Sequence, residues 1–126
     1  MKLRTPLSKV RGLGSARDGV HHWLAQRLTA IALIPLSLWF IISLATMTGL
    51  DYQTVTGWMQ SPLIAVLLIL FIFALFYHAQ LGVQVVIEDY VSCKAIRITS
   101  IVLLKFVVLF AGFVSAIAVL KVFLGL

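Results

Sequence analysis

The chain has 126 residues, 62% of them hydrophobic, a formal net charge of +6 and a mean hydropathy of +1.11. That excludes an ordinary water-soluble domain, since typical usage is about 45–50% apolar even with Gly counted. The single Cys93 excludes an intrachain disulfide and matches no metal-ligand spacing.

Residues 1–20 are polar and basic, with Lys2, Arg4, Lys9, Arg11 and Arg17, three glycines and one acid, Asp18. They read as a tail ordered mainly by partners. Basic residues beside a membrane span are topology signals and contacts to anionic lipid more simply than a nucleic-acid surface, so no nucleic acid is expected. The first apolar segment lacks a cleavage site and is followed by two more, so it is expected to be retained. Val20 to Gln26 reads as a short interfacial helix leading in, with Trp23 as an aromatic belt residue.

Three windows reach the length of about 20 apolar residues that crosses a bilayer. They run from Leu28 to Met47, from Leu63 to Ile87 and from Ile98 to Leu124. Pro35 is expected to kink the first, with neighbouring helices satisfying the freed carbonyl. The loop from Thr48 to Pro62 has Asp51 as its one charge, a short surface helix, and Tyr52 and Trp58 as interface anchors. Ser61-Pro62 reads as cap and first turn of the second span. In the third span Lys121 snorkels to headgroups and Lys105 snorkels back to the near face. Gly112, Ser115 and Ala116 are placed for close helix contact.

The expectation is an all-α membrane protein with three transmembrane helices. Residues 1–27 form the tail and lead-in, and residues 28–126 the three-helix domain. Lys and Arg gather before the first span and, as Lys94 and Arg97, between the second and third. By the positive-inside rule the N-terminus and the Cys93 loop are cytoplasmic, or on the matrix side of an organelle, and the C-terminus is periplasmic. Three helices make a thin bundle, which implies a larger membrane assembly.

His78 lies deep in the second span, where a titratable ring is costly and marks function. It can join helices by a hydrogen bond, bind a metal or haem iron, or relay protons. His21 and His22 lie at or before the membrane edge, so a second axial haem ligand would come from another subunit. At about 100° per residue, Asp89 returns to nearly the face of His78, with Gly82 close to that stripe, and lies roughly 16 Å nearer the surface. Asp89 can cap loop N–H groups, and Tyr90 can be an interface residue. Alternatively the Tyr90 phenol donates to a reactant carbonyl while Asp89 orients it or carries protons. Arg27, at the membrane edge, suits two-pronged binding of a carboxylate such as a haem propionate.

His78-Ala79-Gln80-Leu81-Gly82, then Ile87-Glu88-Asp89-Tyr90-Val91, resembles the His-x-x-x-Gly and Asp-Tyr pattern of the small hydrophobic anchor subunit of succinate dehydrogenase (respiratory complex II). Gly19-Val20-His21 and Arg27-Leu28-Thr29-Ala30 are similar to that subunit's start, whereas the Ser-x-x-His-Arg-x-Thr-Gly segment of the sister cytochrome b subunit is missing. The resemblance implies one b-type haem held with the cytochrome b anchor subunit, His78 as an axial iron ligand, and Arg27 and His21 near the propionates. It implies ubiquinone as substrate, hydrogen-bonded by Tyr90 with Asp89 beside it. Succinate oxidation would belong to the flavoprotein subunit and electron delivery to the iron–sulfur subunit, so the chain is not catalytic for succinate by itself. A multi-pass position in a bacterial inner membrane is preferred to a mitochondrial one. The competing readings are a fumarate reductase anchor, and a cofactor-free three-span scaffold or small transporter subunit.

Overall fold

The computed structural model of the protein describes residues 16–126, with side chains from Gly19 onward. Of the expected tail of residues 1–20, residues 1–15, with Lys2, Arg4, Lys9 and Arg11, lie outside the described residues. The helices are α1 (Ala16–Thr46), α2 (Tyr52–Met59), α3 (Pro62–Tyr90) and α4 (Lys94–Phe123). Among the described residues there is no strand. α1, α3 and α4 are long and apolar enough to cross a membrane. A helix pairs its own backbone groups, which hydrocarbon demands because it offers no water. At 29 to 31 residues each, the three reach about 45 Å at 1.5 Å per residue. The hydrocarbon core is only about 30 Å, so their ends reach the headgroup layers.

Three boundaries differ from the expectation, one of them the start of α4, at Lys94 rather than Ile98. Val20 to Gln26 is not a separate lead-in but part of one helix running from Ala16 to Thr46, with Pro35 inside it. No Gly or Pro interrupts Val20 to Ile34, so nothing local ends the helix. The second span likewise continues through Glu88, Asp89 and Tyr90 and stops at Val91, whose backbone is extended.

The short helix expected in the loop is α2. Asp51 caps it, accepting from the Thr54 backbone N–H at 3.1 Å and the Thr54 hydroxyl at 2.6 Å. The Thr54 hydroxyl, and then its N–H, hold the Asp51 carboxyl below its ordinary value. This cap therefore supports α2 above the usual carboxylate range and is lost as pH falls through the lowered value. α3 starts as expected, with Ser61 as cap and Pro62 in its first turn. α4 closes on Gly125 at φ +70, where the Gly125 N–H donates to Val122 O and the Leu126 N–H to Lys121 O. That left-handed position suits Gly, which has no Cβ to clash.

α3 is the central element. α1 and α4 each pack on α3, and α2 touches α3 and α4. The α3–α4 seam buries Leu68 and Leu81 among small residues, with Ala65 on α3 and Gly112 and Ala116 on α4. Small side chains let helix backbones approach in lipid, where no hydrophobic drive separates helix from solvent. Of the three α4 residues singled out for contact, Gly112 and Ala116 are buried, while Ser115 is half-buried and donates to Ala111 O.

The core sits at the α2 end, where Ala65, Leu68 and Val119 are enclosed by Trp39, Phe40, Trp58 and Met59. Trp58, read as an interface anchor, instead turns inward. It stacks on Trp39 at 5.8 Å between centroids and meets Phe40 at 6.5 Å. Phe40 also meets Phe71 at 5.2 Å, tying α1 to α3. Outer faces stay bare: Phe106 and Phe110 on α4 are 68% and 74% exposed. Lipid or partner helices must cover patches of this size.

Cys93 is exposed at the start of α4. The charge asymmetry predicts that an impermeant thiol reagent labels it in inverted membrane vesicles and not in intact spheroplasts. Labelling from the outer side would reverse the orientation.

Candidate functional site

Away from the aromatic end, α1 and α3 enclose a groove of about 680 Å³. α1 lines it with Gly19, His22, Trp23, Gln26, Arg27 and Ala30. These recur at three- and four-residue steps, so they form one helix face. α3 contributes His78, Gly82 and Val85 at the same spacing, with Gln84 and Glu88 nearer its end. A Cβ on Gly82 would meet only Gln26 Nε2, at 3.7 Å.

His78 is half-buried, and its Nδ1 lies 3.0 Å from the Thr29 hydroxyl across the helix pair. Thr29 Oγ1 also bonds its own helix, at 2.8 Å from Ala25 O and 3.1 Å from Gln26 O. Arg27 stands at the groove with its guanidinium carbon 5.5 Å from the centre of the Trp23 ring. This contact holds an exposed cation beside the groove, with no carboxylate partner among the described residues.

His22 Nε2 and Gln26 Oε1 are out of reach of solvent and have no hydrogen-bond partner among the described residues. Leaving such atoms unpaired costs ~1–3 kcal/mol each. Two orphaned atoms on one groove wall point to a polar group arriving from outside the chain. Among the described residues, no three His, Cys, Asp or Glu side chains cluster as a metal-ion site. A cofactor iron needing one imidazole from this chain requires no such cluster.

The expected residues divide in space. His78 and Arg27 share the groove. His21 opens instead onto a second groove of about 1000 Å³, between α1 and α4 on a neighbouring side of α3, together with Tyr77, Gln80 and Lys105. His22 lines both grooves. Asp89 and Tyr90 are exposed on the last turn of α3, outside the lining of either groove, and Tyr90 is 83% exposed. Glu88 reaches the groove and accepts from Gln84 Nε2 at 2.8 Å.

Sequence reasoning missed Thr29, His22 and Gln26. His22 and Gln26 could have been found from the stripe through residues 19, 22, 23, 26, 27 and 30, which includes His22 and omits His21. Thr29 gave no signal, because its role depends on which helix faces it.

Comparison with known proteins now decides the family. Residues 1–119 match the profile described as succinate dehydrogenase/fumarate reductase transmembrane subunit. The chain belongs to that family. Curated relatives carry the name succinate dehydrogenase hydrophobic membrane anchor subunit. The Rickettsia bellii protein is 39% identical over 102 residues, covering 81% of this chain and 82% of its own. The Rickettsia conorii protein is 36% identical over 117 residues, covering 90% and 93%. The Paracoccus denitrificans protein is 32% identical over 90 residues, covering 71% and 70%. The profile match takes in α1, α3 and most of α4, so the family assignment and the multi-pass membrane architecture agree.

Proposed function

We propose that this chain is the small anchor subunit of a succinate:quinone oxidoreductase, and that it holds one side of a b-type haem and part of a quinone-reduction site. The observation that carries the haem reading is the groove itself. It combines a membrane-embedded imidazole, a guanidinium at its mouth, and buried polar atoms without partners.

The residues fit the group. His78 would supply a neutral ring nitrogen to the iron, and a cytochrome b anchor subunit would supply a further ligand, since this chain offers no second histidine at that depth. Arg27 binds a propionate in its two-pronged fashion. The resemblance pointed to His21 as its companion; the shared groove favours His22. Gly82 keeps the wall flat beside His78. Bound there, haem supplies a one-electron redox centre. Arg27 would balance its acidic edge, and the polar side chains of His22 and Gln26 would face it from α1.

Tyr90 and Asp89 lie at the end of α3 that carries the α3–α4 turn, with Lys94 four residues after Tyr90. A ubiquinone head at this edge would be met by partner subunits on its other sides. A quinone oxygen gains negative charge on reduction, so a phenol O–H aimed at it stabilises the reduced form more than the ground state. Asp89 holds that phenol or passes protons from the aqueous side. The exposure of both residues is what a site completed by other subunits requires. Flavoprotein and iron–sulfur subunits would deliver the electrons, because this chain has no flavin or cluster motif. The names of the curated relatives favour succinate dehydrogenase over fumarate reductase.

Three measurements test this reading. In the purified complex, His78→Ala should abolish or alter the b-type signal in a reduced-minus-oxidised spectrum; an unchanged spectrum and potential in an assembled mutant would rule out ligation, whereas a parent complex with no b-type signal and no quinone reductase activity would favour a cofactor-free scaffold. Arg27→Leu should lower haem retention more than Arg27→Lys, because Lys keeps the charge and loses the fork; equal, normal haem content in both removes the propionate contact. Tyr90→Phe should cut quinone reduction by about tenfold, or ~1.4 kcal/mol, while succinate oxidation with an artificial acceptor stays normal. Should Tyr90→Phe and Asp89→Asn both leave quinone turnover intact, the quinone site lies elsewhere.

A further inference from the structure

We infer that Thr29 is a positioning residue for His78: it fixes the tautomer of the ring and orients it toward the groove. The inference rests on the proposed role of His78 as an iron ligand. It concerns a residue of α1 that does not touch the iron.

The number of protons on the hydroxyl fixes the direction of each contact. A threonine hydroxyl has one proton to donate and two lone pairs to accept with. Thr29 Oγ1 is 2.8 Å from Ala25 O, a carbonyl that can only accept. If the proton were aimed at His78 instead, two oxygens would face each other at that distance with nothing between them. The proton therefore goes to Ala25 O, with Gln26 O at 3.1 Å as a weaker second acceptor. The 3.0 Å contact with His78 Nδ1 must then carry a proton supplied by the ring. His78 is protonated on Nδ1 and donates to Thr29. Its free lone pair is on Nε2.

Three consequences follow for the site. The nitrogen that keeps its lone pair is the one not turned toward α1. The ring cannot flip without breaking a bond between two spans, which lipid makes costly because no water replaces it. The hydroxyl also draws charge from the N–H, which raises the basicity of the opposite nitrogen. Thr29 stands two positions after Arg27, so one turn of α1 serves both the histidine and the groove's cation.

The test uses the purified complex with Thr29→Ser, Thr29→Ala and Thr29→Val. Its readouts are the reduction potential of the haem, the electron paramagnetic resonance g values of the oxidised form, and haem content. Thr29→Ser keeps the acceptor and should match the parent protein. Thr29→Val and Thr29→Ala should both raise the potential, since the ring donates less charge to ferric iron, and both should shift the g values as ring orientation relaxes. Haem affinity should fall about tenfold, the lower end for loss of a partner to a ligand histidine. Parent values in Thr29→Ala and Thr29→Val overturn the inference. So does a Thr29→Ser protein shifted as far as Thr29→Ala, because side-chain size rather than the hydroxyl would then be acting. If Thr29→Val fails to assemble, the Ser–Ala comparison decides alone. His78→Ala separates the two levels of the argument: if it leaves the haem signal unaltered, ligation by His78 fails first and the role of Thr29 fails with it.

Discussion

A bilayer offers no water to an unpaired polar group, and the polar side chains of these spans are arranged around that constraint. Thr29 satisfies itself on α1 and still reaches across to His78 on α3. Ser115 turns its hydroxyl back onto its own helix. Gln84 and Glu88 pair along one face of α3. Against that background the two orphaned atoms on His22 and Gln26 stand out, and they lie on the wall of the groove that holds His78 and Arg27. Among the described residues these are the buried side-chain atoms left without a partner.

The two ends of the molecule are built for different tasks. At the α2 end, stacked and tilted rings join α1, α2 and α3. Such pairs add about 0.5–1.5 kcal/mol each beyond the area they bury. Small residues along the α3–α4 seam do the rest, bringing the backbones close without polar contacts. At the opposite end the side chains are polar, the helices diverge into grooves, and the charged residues gather. Stability is concentrated at one end, and polar chemistry at the other.

Much of this was legible in the sequence. Three apolar windows, the Ser61-Pro62 start, the loop helix and the small residues of α4 depend on one helix at a time, and propensity and composition govern them. His78 and Arg27 fall into one groove because each lies on a recurring stripe of its own helix. What the sequence did not disclose depends on how helices face each other. Trp58 reads as an interface residue until α1 supplies Trp39 and Phe40. His21 and His22 are equivalent as neighbours in the chain, and only the rotation of α1 about its axis tells them apart. Thr29 is a common helix residue until His78 arrives opposite it. Periodicity sorts residues onto faces, but it does not say which face meets which.

α1 packs against α3 alone among the long helices, and its ring contacts lie near Trp39 and Phe40. From there to His22 is about 26 Å along the axis. A tilt of about 5° about the aromatic end would move His22 by roughly 2 Å over that lever, while the rings at the pivot barely shift. One interhelical hydrogen bond, Thr29 to His78, lies between pivot and mouth and resists the swing. Among the described residues this bond is the latch between the two helices, so losing either of its partners would leave the mouth of the groove held by packing alone.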